Sequence, residues 1–455
     1  MSHGELSTIS RGRMHELRAT GVERQGGSES GRAIVAGLVF TTLLVVTLVG
    51  FLVLIRPAGE GQTGPGVVGS AAETARWREA ARYHAEETGN VGLAIAGLES
   101  LTVALPEDVA ALIMLGELLS GAPREWARAA GLFELAIGLD SLAPEAHAGL
   151  IQAMARLGDT AGARDARVRF ARLRPDHPFP YILACRLAYL AGDRSAVDAA
   201  IVDLEAAFPD DRTVRAWVAE ERARLALVDG RPGEADARYR EALAVAAVRG
   251  DPAEIIERAV DRAWAMTWWS ADTAAAVALV DSTLAAHPMG SMSMDDWPFH
   301  YIAEFYALAG RSERAMMILE SHAGHMDPPP DARPNPWWQA AWGLIALDVS
   351  RPLEAVERFR LWDEGIGCPV CALGDLARAL EAAGNPDSAL VVWERYLEVS
   401  DPQRIEWDPY YLGIARERLA ALYAAGGRGS EAMAMRESLA RQWRDADPQF
   451  RARSE

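Results

Sequence analysis

The sequence predicts an all-α protein built as a tandem array of helical hairpins. Seven times, a glycine is followed five residues later by a small or β-branched apolar residue, and the residues beyond it have the spacing of an amphipathic helix. The seven pairs are Gly89/Ala94, Gly158/Ala163, Gly192/Val197, Gly230/Ala235, Gly310/Ala315, Gly384/Ala389 and Gly427/Ala432. Successive pairs lie 34 to 80 residues apart, and degenerate copies fill the longer intervals. Such self-similarity indicates a repeat architecture.

Each copy consists of an apolar helix, a turn and a second helix with large apolar residues four and seven positions after the small one. In one copy these are Trp393 and Tyr396. Two copies keep the second helix without the glycine: one starts at Ala129, the other at Ala355 after Ser350. The small residue allows close helix contact, and the large residues form one helix face. A single hairpin cannot bury that face, so we expect neighbours to stack.

This pattern of small and bulky positions resembles the tetratricopeptide repeat (TPR) family, whose repeat is a 34-residue helix-turn-helix. Further matches in first helices are Leu115-Gly116, Trp342-Gly343, Tyr306 and Tyr423. The resemblance covers about four-fifths of the chain, from residue 72 to residue 443, and implies an α-solenoid of about ten repeats.

Residues 33–55 form the second informative feature. These 23 residues contain no charge and are bounded by Arg32 and Arg56. A helix of this length spans about 34 Å, enough to cross a bilayer. The apolar stretch is too long for a cleaved signal peptide, and no small-residue cleavage site follows closely, so we expect an uncleaved transmembrane signal anchor.

Arginine asymmetry predicts the orientation of this anchor. Four arginines precede it within twenty residues, Arg13, Arg18, Arg24 and Arg32, whereas only Arg56 follows it. The positive-inside rule places residues 1–32 in the cytoplasm as a short tail that we expect to be disordered. Residues 56–71 are rich in Gly and Pro and read as a flexible linker, and residues 72–455 form the array, in the periplasm of a bacterial inner-membrane protein.

Motifs for catalysis are missing from the sequence. It contains no nucleophile elbow, phosphate-binding loop, zinc-protease motif or dinucleotide-binding glycine cluster, so we expect neither an enzyme nor a cofactor. The net charge of −18 lies almost wholly in the array, and an acidic surface repels phosphate backbones. Nucleic acid is therefore not an expected partner.

A Cys368-Pro-Val-Cys371 motif precedes one first helix. The next residue is not histidine, which removes the haem-attachment interpretation. A structural disulfide or capping thiols, a packing role alone, and metal or redox chemistry remain open. His322 and His325 lie one repeat away along the array. Together with the two cysteines they would form a two-Cys, two-His zinc ligand set.

Aromatic residues cluster in the middle of the array, where seven of fourteen tryptophans lie within 79 residues. If the TPR register applies, five residues fall on first-helix positions that line the concave groove: Trp268, Trp269, Trp297, His300 and Trp337. Large aromatic side chains in a groove commonly anchor a protein or peptide partner. Packing between irregular repeats is the alternative.

The sequence as a whole predicts a non-enzymatic, single-pass membrane protein whose external TPR-like array binds other proteins and assembles or stabilises an envelope or membrane complex. Two alternatives are a signalling component, since the later repeats resemble the arrays of membrane-bound bacterial kinases and transcription activators, and a metal or redox protein using Cys368 and Cys371.

Overall fold

The computed structural model describes residues 71–87, 91–293, 297–324, 336–364 and 368–454, and all regular structure in these ranges is helical. The α-helices are α1 Ala71–Arg82, α2 Val91–Ala104, α3 Val109–Leu119, α4 Trp126–Leu139, α5 Pro144–Arg156, α6 Thr160–Leu173, α7 Phe179–Leu190, α8 Arg194–Ala207, α9 Arg212–Val228, α10 Pro232–Arg249, α11 Pro252–Trp269, α12 Thr273–Ala286, α13 Phe299–Leu308, α14 Ser312–Ala323, α15 Pro336–Asp348, α16 Pro352–Asp363, α17 Leu373–Ala382, α18 Pro386–Glu398, α19 Arg404–Ala425, α20 Gly429–Gln442 and α21 Pro448–Ser454.

Consecutive helices pair as hairpins, and each hairpin packs on the next. The described ranges contain ten hairpins, from α1/α2 to α19/α20, followed by α21. Buried apolar residues run along the whole stack, because each second helix turns its small and bulky positions towards its own first helix and towards the next hairpin. The fold is therefore a TPR-like α-solenoid, as the repeat pattern predicts.

Left-handed turns separate the helices of most hairpins. Gly192 has a φ of 70°, and the N–H of the following Asp193 bonds the Ala188 carbonyl oxygen at 3.0 Å, which closes the end of α7. Glycine adopts this conformation without steric cost, which explains its recurrence in the pattern. Ser350 has a φ of 60° at the corresponding position of the copy that lacks glycine. The backbone geometry of the turn is thus retained when its usual residue is lost.

Close helix contact explains the glycines within first helices. A Cβ atom on Gly116 would lie 2.8 Å from the ring of Phe133 in the second helix of the same hairpin, and one on Gly343 would lie 2.4 Å from the ring of Phe359. Both rings are fully buried. Any larger residue would force the two helices of its hairpin apart.

The array curls so far that its end meets its middle. Helix α19, the first helix of the last hairpin, packs against α7 and α9 as well as against its neighbour α18. The inner surface, defined here as the side of α5, α7, α9 and α11 that faces α19, is consequently covered by the chain's own C-terminal segment, residues 399–454.

A search of the described ranges finds no helix long and apolar enough to cross a membrane. Residues 33–55, on which the anchor prediction rests, lie outside those ranges, as do the tail and all but the last residue of the linker. The anchor therefore stays a prediction.

Two turns predict stabilising substitutions. Ala271 and Ser350 have positive φ values of 52° and 60°, which cost free energy for a residue with a Cβ atom. Replacing either by glycine should raise the free energy of unfolding by about 0.5–1 kcal/mol, measured by urea denaturation followed by circular dichroism. Ala383, in a turn with a φ of −79°, is the matched control. Its replacement by glycine should lower stability, and a gain there would contradict the strain explanation.

Candidate functional site: the inner surface and the segment that covers it

The structure places the predicted groove residues in different surroundings. Trp268 and Trp269 end α11 on the inner surface and are half-buried. Trp297 is buried in the apolar core beside α13, and His300 lies in the first turn of that helix, half-buried. The side chain of Trp337 lies outside the described part of the chain. Among the side chains of this set that the structure describes, the pair on α11 alone faces the inner surface in the way that a groove requires.

Aromatic side chains of α19 cover Trp268. Its ring centroid lies 5.3 Å from that of Tyr411 and 5.9 Å from that of Tyr410, both in edge-on geometry. Tyr410 also contacts Trp264, at 5.7 Å. Edge-on pairs at these distances are favourable because the positive ring edge meets the negative face. The surface that we expected a partner protein to occupy is thus occupied by this chain.

The last two helices cover Trp269. Its ring lies 6.3 Å from Trp443 and 4.9 Å from Phe450. Backbone contacts fix this arrangement, since the N–H of Asp447 donates to the carbonyl oxygen of Gly230 at 3.0 Å. The turn before α10 thereby holds the end of the chain against α11.

The interface between the inner surface and the C-terminal segment is termed the closure. Arg156, at the end of α5, forms its first polar contact. Its Nε atom donates to the carboxylate of Asp401 at 2.8 Å, Nη1 donates to the Ser120 carbonyl oxygen at 2.8 Å, and Nη2 donates to the side-chain oxygen of Gln403 at 3.2 Å. Asp401 is fully buried. The planar, always charged guanidinium can bond several oxygens at once, which suits it to this junction.

Two residues of α7 form the next contacts. Arg186 is paired with Glu406 at 2.7 Å, and both side chains are buried. The hydroxyl of Tyr189 donates to Asp408 at 2.7 Å, and the hydroxyl of Tyr396 donates to the other oxygen of the same carboxylate at 2.7 Å. Burial and the Asp408 charge raise the pKa of both tyrosines, so both remain donors at any physiological pH.

A cluster of buried charges joins α9 to α11. Arg224 contacts both Glu220 and Glu221, and Arg258 of α11 pairs with Glu220 and, at 3.2 Å, with Asp261. Burial, followed by repulsion from Glu220, raises the pKa of Asp261 to about 6. Opposite charges lie close together here, and the arrangement fixes the position of the two helices instead of activating a nucleophile.

The zinc-type ligand set does not form in the structure. His322 is buried in α14, where its ring stacks on Phe299 at 3.4 Å between centroids, and His325 lies outside the described ranges. Cys368 and Cys371 are joined by a disulfide, so neither sulfur is the thiolate that binds zinc. No group of three or more His, Cys, Asp or Glu in the described ranges could hold a metal ion.

The disulfide lies directly before α17. The N–H of Cys371 bonds the sulfur of Cys368 at 3.1 Å, and the Cα atoms are 5.4 Å apart. The third cysteine, Cys185, is fully buried in α7, and burial raises the pKa of its thiol well above the ordinary value. A thiol in these surroundings is chemically inert.

Sequence reasoning missed the polar residues that hold the closure. One signal was present: α7 reads FPYILACRLAYL, and its single charge, Arg186, lies among apolar residues. A second was the start of α19, where Arg404, Glu406 and Asp408 alternate with apolar residues in the longest helix of the described ranges. Charges in such positions need partners, and the partners of Arg186 and Asp408 lie some 220 residues away along the chain.

Comparison with known proteins finds similarity only among solved structures, since no family model and no curated protein matches the chain. A tetratricopeptide repeat protein from Parabacteroides merdae matches at 13% identity and a TM-score of 0.33, over 61% of this chain and 98% of that chain. The human IFIT1 dimer with m7Gppp-AAAA matches at 15% identity and a TM-score of 0.35, over 73% of this chain and 82% of that chain. The P58(IPK) TPR domain matches at 15% identity and a TM-score of 0.20, over 76% of this chain and 98% of that chain. Identities this low do not transfer function.

The Arg156–Asp401 pair predicts a large stability effect. Replacing Arg156 by methionine leaves Asp401 buried without its counter-charge and should lower the free energy of unfolding by about 3–5 kcal/mol. Arg441, paired with Glu437 at 3.9 Å on the surface, is the matched control, and its replacement by methionine should change stability by less than about 1 kcal/mol. Urea denaturation measures both. Equal effects would mean that this ion pair does not hold the closure.

Glu304 predicts a pH dependence. This residue of α13 is buried, one carboxylate oxygen has no partner, and burial together with Asp375 raises its pKa well above the ordinary 4.5. A raised pKa means that ionisation destabilises the folded state, so stability should fall as the pH rises above 4.5 and through the folded pKa. Glu304→Gln should remove the part of that fall that Glu304 causes, keep the part caused by other buried carboxyls such as Asp261, and leave stability near pH 4.5 unchanged.

Thermal midpoints of the wild-type protein and the variant between pH 4.5 and 9 test this. The exposed Glu357 provides the control, because its replacement by glutamine should leave the pH profile of the wild type intact. Parallel profiles for the wild type and Glu304→Gln would show that the buried carboxyl is ionised without cost.

Proposed function

We propose that the protein is a non-enzymatic scaffold, anchored in a bacterial inner membrane through residues 33–55, whose array binds protein partners outside the cytoplasm. The observation that carries this proposal is the distribution of apolar surface on the array. The inner surface is covered by the C-terminal segment, whereas the outer side of the first hairpins exposes large apolar side chains.

Five exposed residues form what we term the outer apolar row: Val103, Leu135, Leu139, Leu142 and Leu173. Each of these residues is large and apolar, yet each is between 45% and 84% exposed. Single exposed leucines are ordinary, but a concentration of them on one face marks an interaction surface.

Polar contacts hold the members of this row near each other. Arg128 of α4 pairs with Glu99 of α2 at 2.6 Å, one helical turn before Val103. Arg174, directly after Leu173, donates to the carbonyl oxygen of Leu142 at 3.2 Å. The ends of α4 and α6 are therefore neighbours, and the start of α4 lies beside the last turns of α2.

The position of this row along the chain suits a membrane-associated partner. The described array begins at Ala71, and fifteen residues separate it from the end of the predicted anchor at residue 55. A fully extended linker of this length reaches about 50 Å. The first hairpins are thus the part of the array joined directly to the linker, within reach of integral membrane proteins, and the partner class that we propose is envelope or integral membrane protein.

Pull-down of the full-length protein from detergent-solubilised membranes tests the row. Leu135→Asp combined with Leu139→Asp should abolish recovery of membrane proteins without lowering the thermal midpoint, since both side chains are exposed. Val391→Asp combined with Met433→Asp, at exposed apolar positions of later hairpins, is the control and should leave the recovery of membrane proteins unchanged. Recovery of the same partners with both double variants would contradict the proposed surface.

The location outside the cytoplasm has its own test. The arginines before residue 33 favour a cytoplasmic N-terminus, and the disulfide in the array suits an oxidising compartment. Protease added to intact spheroplasts should therefore digest the array. Protection in intact spheroplasts and digestion after lysis would reverse the topology.

A signalling role is the second candidate, because a partner that displaced the C-terminal segment would expose the inner surface that this segment covers. Metal binding by Cys368 and Cys371 loses support, because the two cysteines are bonded to each other and His322 is stacked in an aromatic pocket. A disulfide is also the oxidised form of a redox pair, so the redox alternative stays a prediction.

A further inference from the structure

A cavity of about 450 Å³ lies where the C-terminal segment meets the end of α11. The walls come from distant parts of the chain: α11 supplies Trp268 and Trp269, α19 supplies Ile414, and the last residues supply Trp443 and Arg453. The volume is within the range of pockets that hold small molecules, about 300–1,000 Å³. The cavity exists only while the C-terminal segment is docked.

Flat aromatic surfaces dominate the apolar part of the lining. Three tryptophans, Trp268, Trp269 and Trp443, face the cavity together with Leu308 and Ile414. Trp443 is fully buried, and the ring of Trp269 packs edge-on against it. Such walls bind an apolar or aromatic body by burying its surface from water.

The charged part of the lining is entirely positive. Arg378 lies 4.8 Å above the ring of Trp268, and Arg453 lies 5.5 Å from the ring of Trp443. Each guanidinium is held by a carboxylate that is not itself part of the lining, Asp375 at 2.7 Å and Glu417 at 2.6 Å. None of the described residues that line the cavity is acidic. An anion would therefore meet two guanidinium groups, each already paired with a carboxylate outside the lining, and no carboxylate in the lining itself.

Hydrogen-bonding groups of the lining residues point to the same kind of ligand. The indole N–H groups of Trp269 and Trp443 and the hydroxyl of Thr267 have no hydrogen-bond partner in the described chain. An unpaired buried donor costs free energy, which a hydrogen bond to an acceptor on a ligand would recover. An indole N–H can only donate, so it rejects a ligand that presents donors.

We propose that this cavity binds a small organic acid, with its aromatic or aliphatic body between the tryptophans and its carboxylate at Arg378 and Arg453. Because the ligand would contact α11 and the C-terminal segment at once, it would stabilise the docked arrangement of the segment by mass action. The proposal does not depend on the membrane anchor or on the outer apolar row, and it gives the signalling alternative an effector site.

Isothermal titration calorimetry on the full-length protein in detergent tests the charge preference. The probes share one skeleton: 4-phenylbutyrate is the anion, 4-phenylbutanol is neutral and 4-phenylbutylamine is the cation. The anion should bind, the alcohol should bind at least tenfold more weakly, and the amine should not bind measurably. Equal binding of anion and amine would overturn the proposal.

Three variants locate the site. Arg453→Gln and Thr267→Val should each weaken 4-phenylbutyrate binding, the first at least tenfold, and Ile414→Trp should abolish binding by filling the cavity. Arg444→Gln, at an exposed position outside the lining, is the matched control and should bind as the wild type does. If Ile414→Trp does not fold, Arg453 remains decisive, because its side chain is 47% exposed and tolerates replacement.

Unchanged binding in Arg453→Gln would overturn the assignment of the carboxylate to this cavity. A carboxylate also ends every polypeptide, so a tetrapeptide with a C-terminal phenylalanine is titrated alongside. Binding of the tetrapeptide more than tenfold tighter than that of 4-phenylbutyrate would overturn the small-molecule assignment in favour of a chain end.

Discussion

The contact between α19 and the inner surface is the interaction on which the rest of the structure depends. In an open solenoid each hairpin contacts only its neighbours, and stability is close to a sum of local terms. Here Arg156 and Asp401, 245 residues apart, are in direct contact. The closure therefore couples the third hairpin to the last, and loosening of any hairpin between them strains the docked segment as well.

Polar groups make most of this contact specific. Arg186–Glu406 and the two tyrosine hydroxyls on Asp408 are buried, and each requires its partner at one position along α19. A purely apolar interface would tolerate sliding of α19 by one turn, whereas a displaced carboxylate would be left unpaired at high cost. The closure thus trades some stability for a unique register, in the way that buried polar residues specify pairing in other helical assemblies.

Local features of this fold were predictable from sequence, and the closure was not. Gly192 and Ser350 take the same left-handed turn because a hairpin is decided within a few residues, and the Gly343 contact with Phe359 lies within one repeat. Sequence periodicity also predicts that Trp268 lies on the face of its helix where α19 is found. What covers that face depends on how far the stack curves, which is a sum of small rotations over several hairpins that no single repeat encodes. A groove with an external partner and a groove filled by α19 have the same local pattern.

The charged character of the inner surface has a consequence for synthesis. The chain leaves the ribosome from its N-terminus, so hairpins with Arg186, Glu220 and Arg258 on their inner side exist before residues 399–454 have been made. During that interval water hydrates the arginines and carboxylates of the uncovered face, whose large aromatic side chains include Trp264, Trp268 and Trp269 of α11. The charged groups thereby limit the apolar surface that the nascent chain presents to other unfinished chains before its last helices are made.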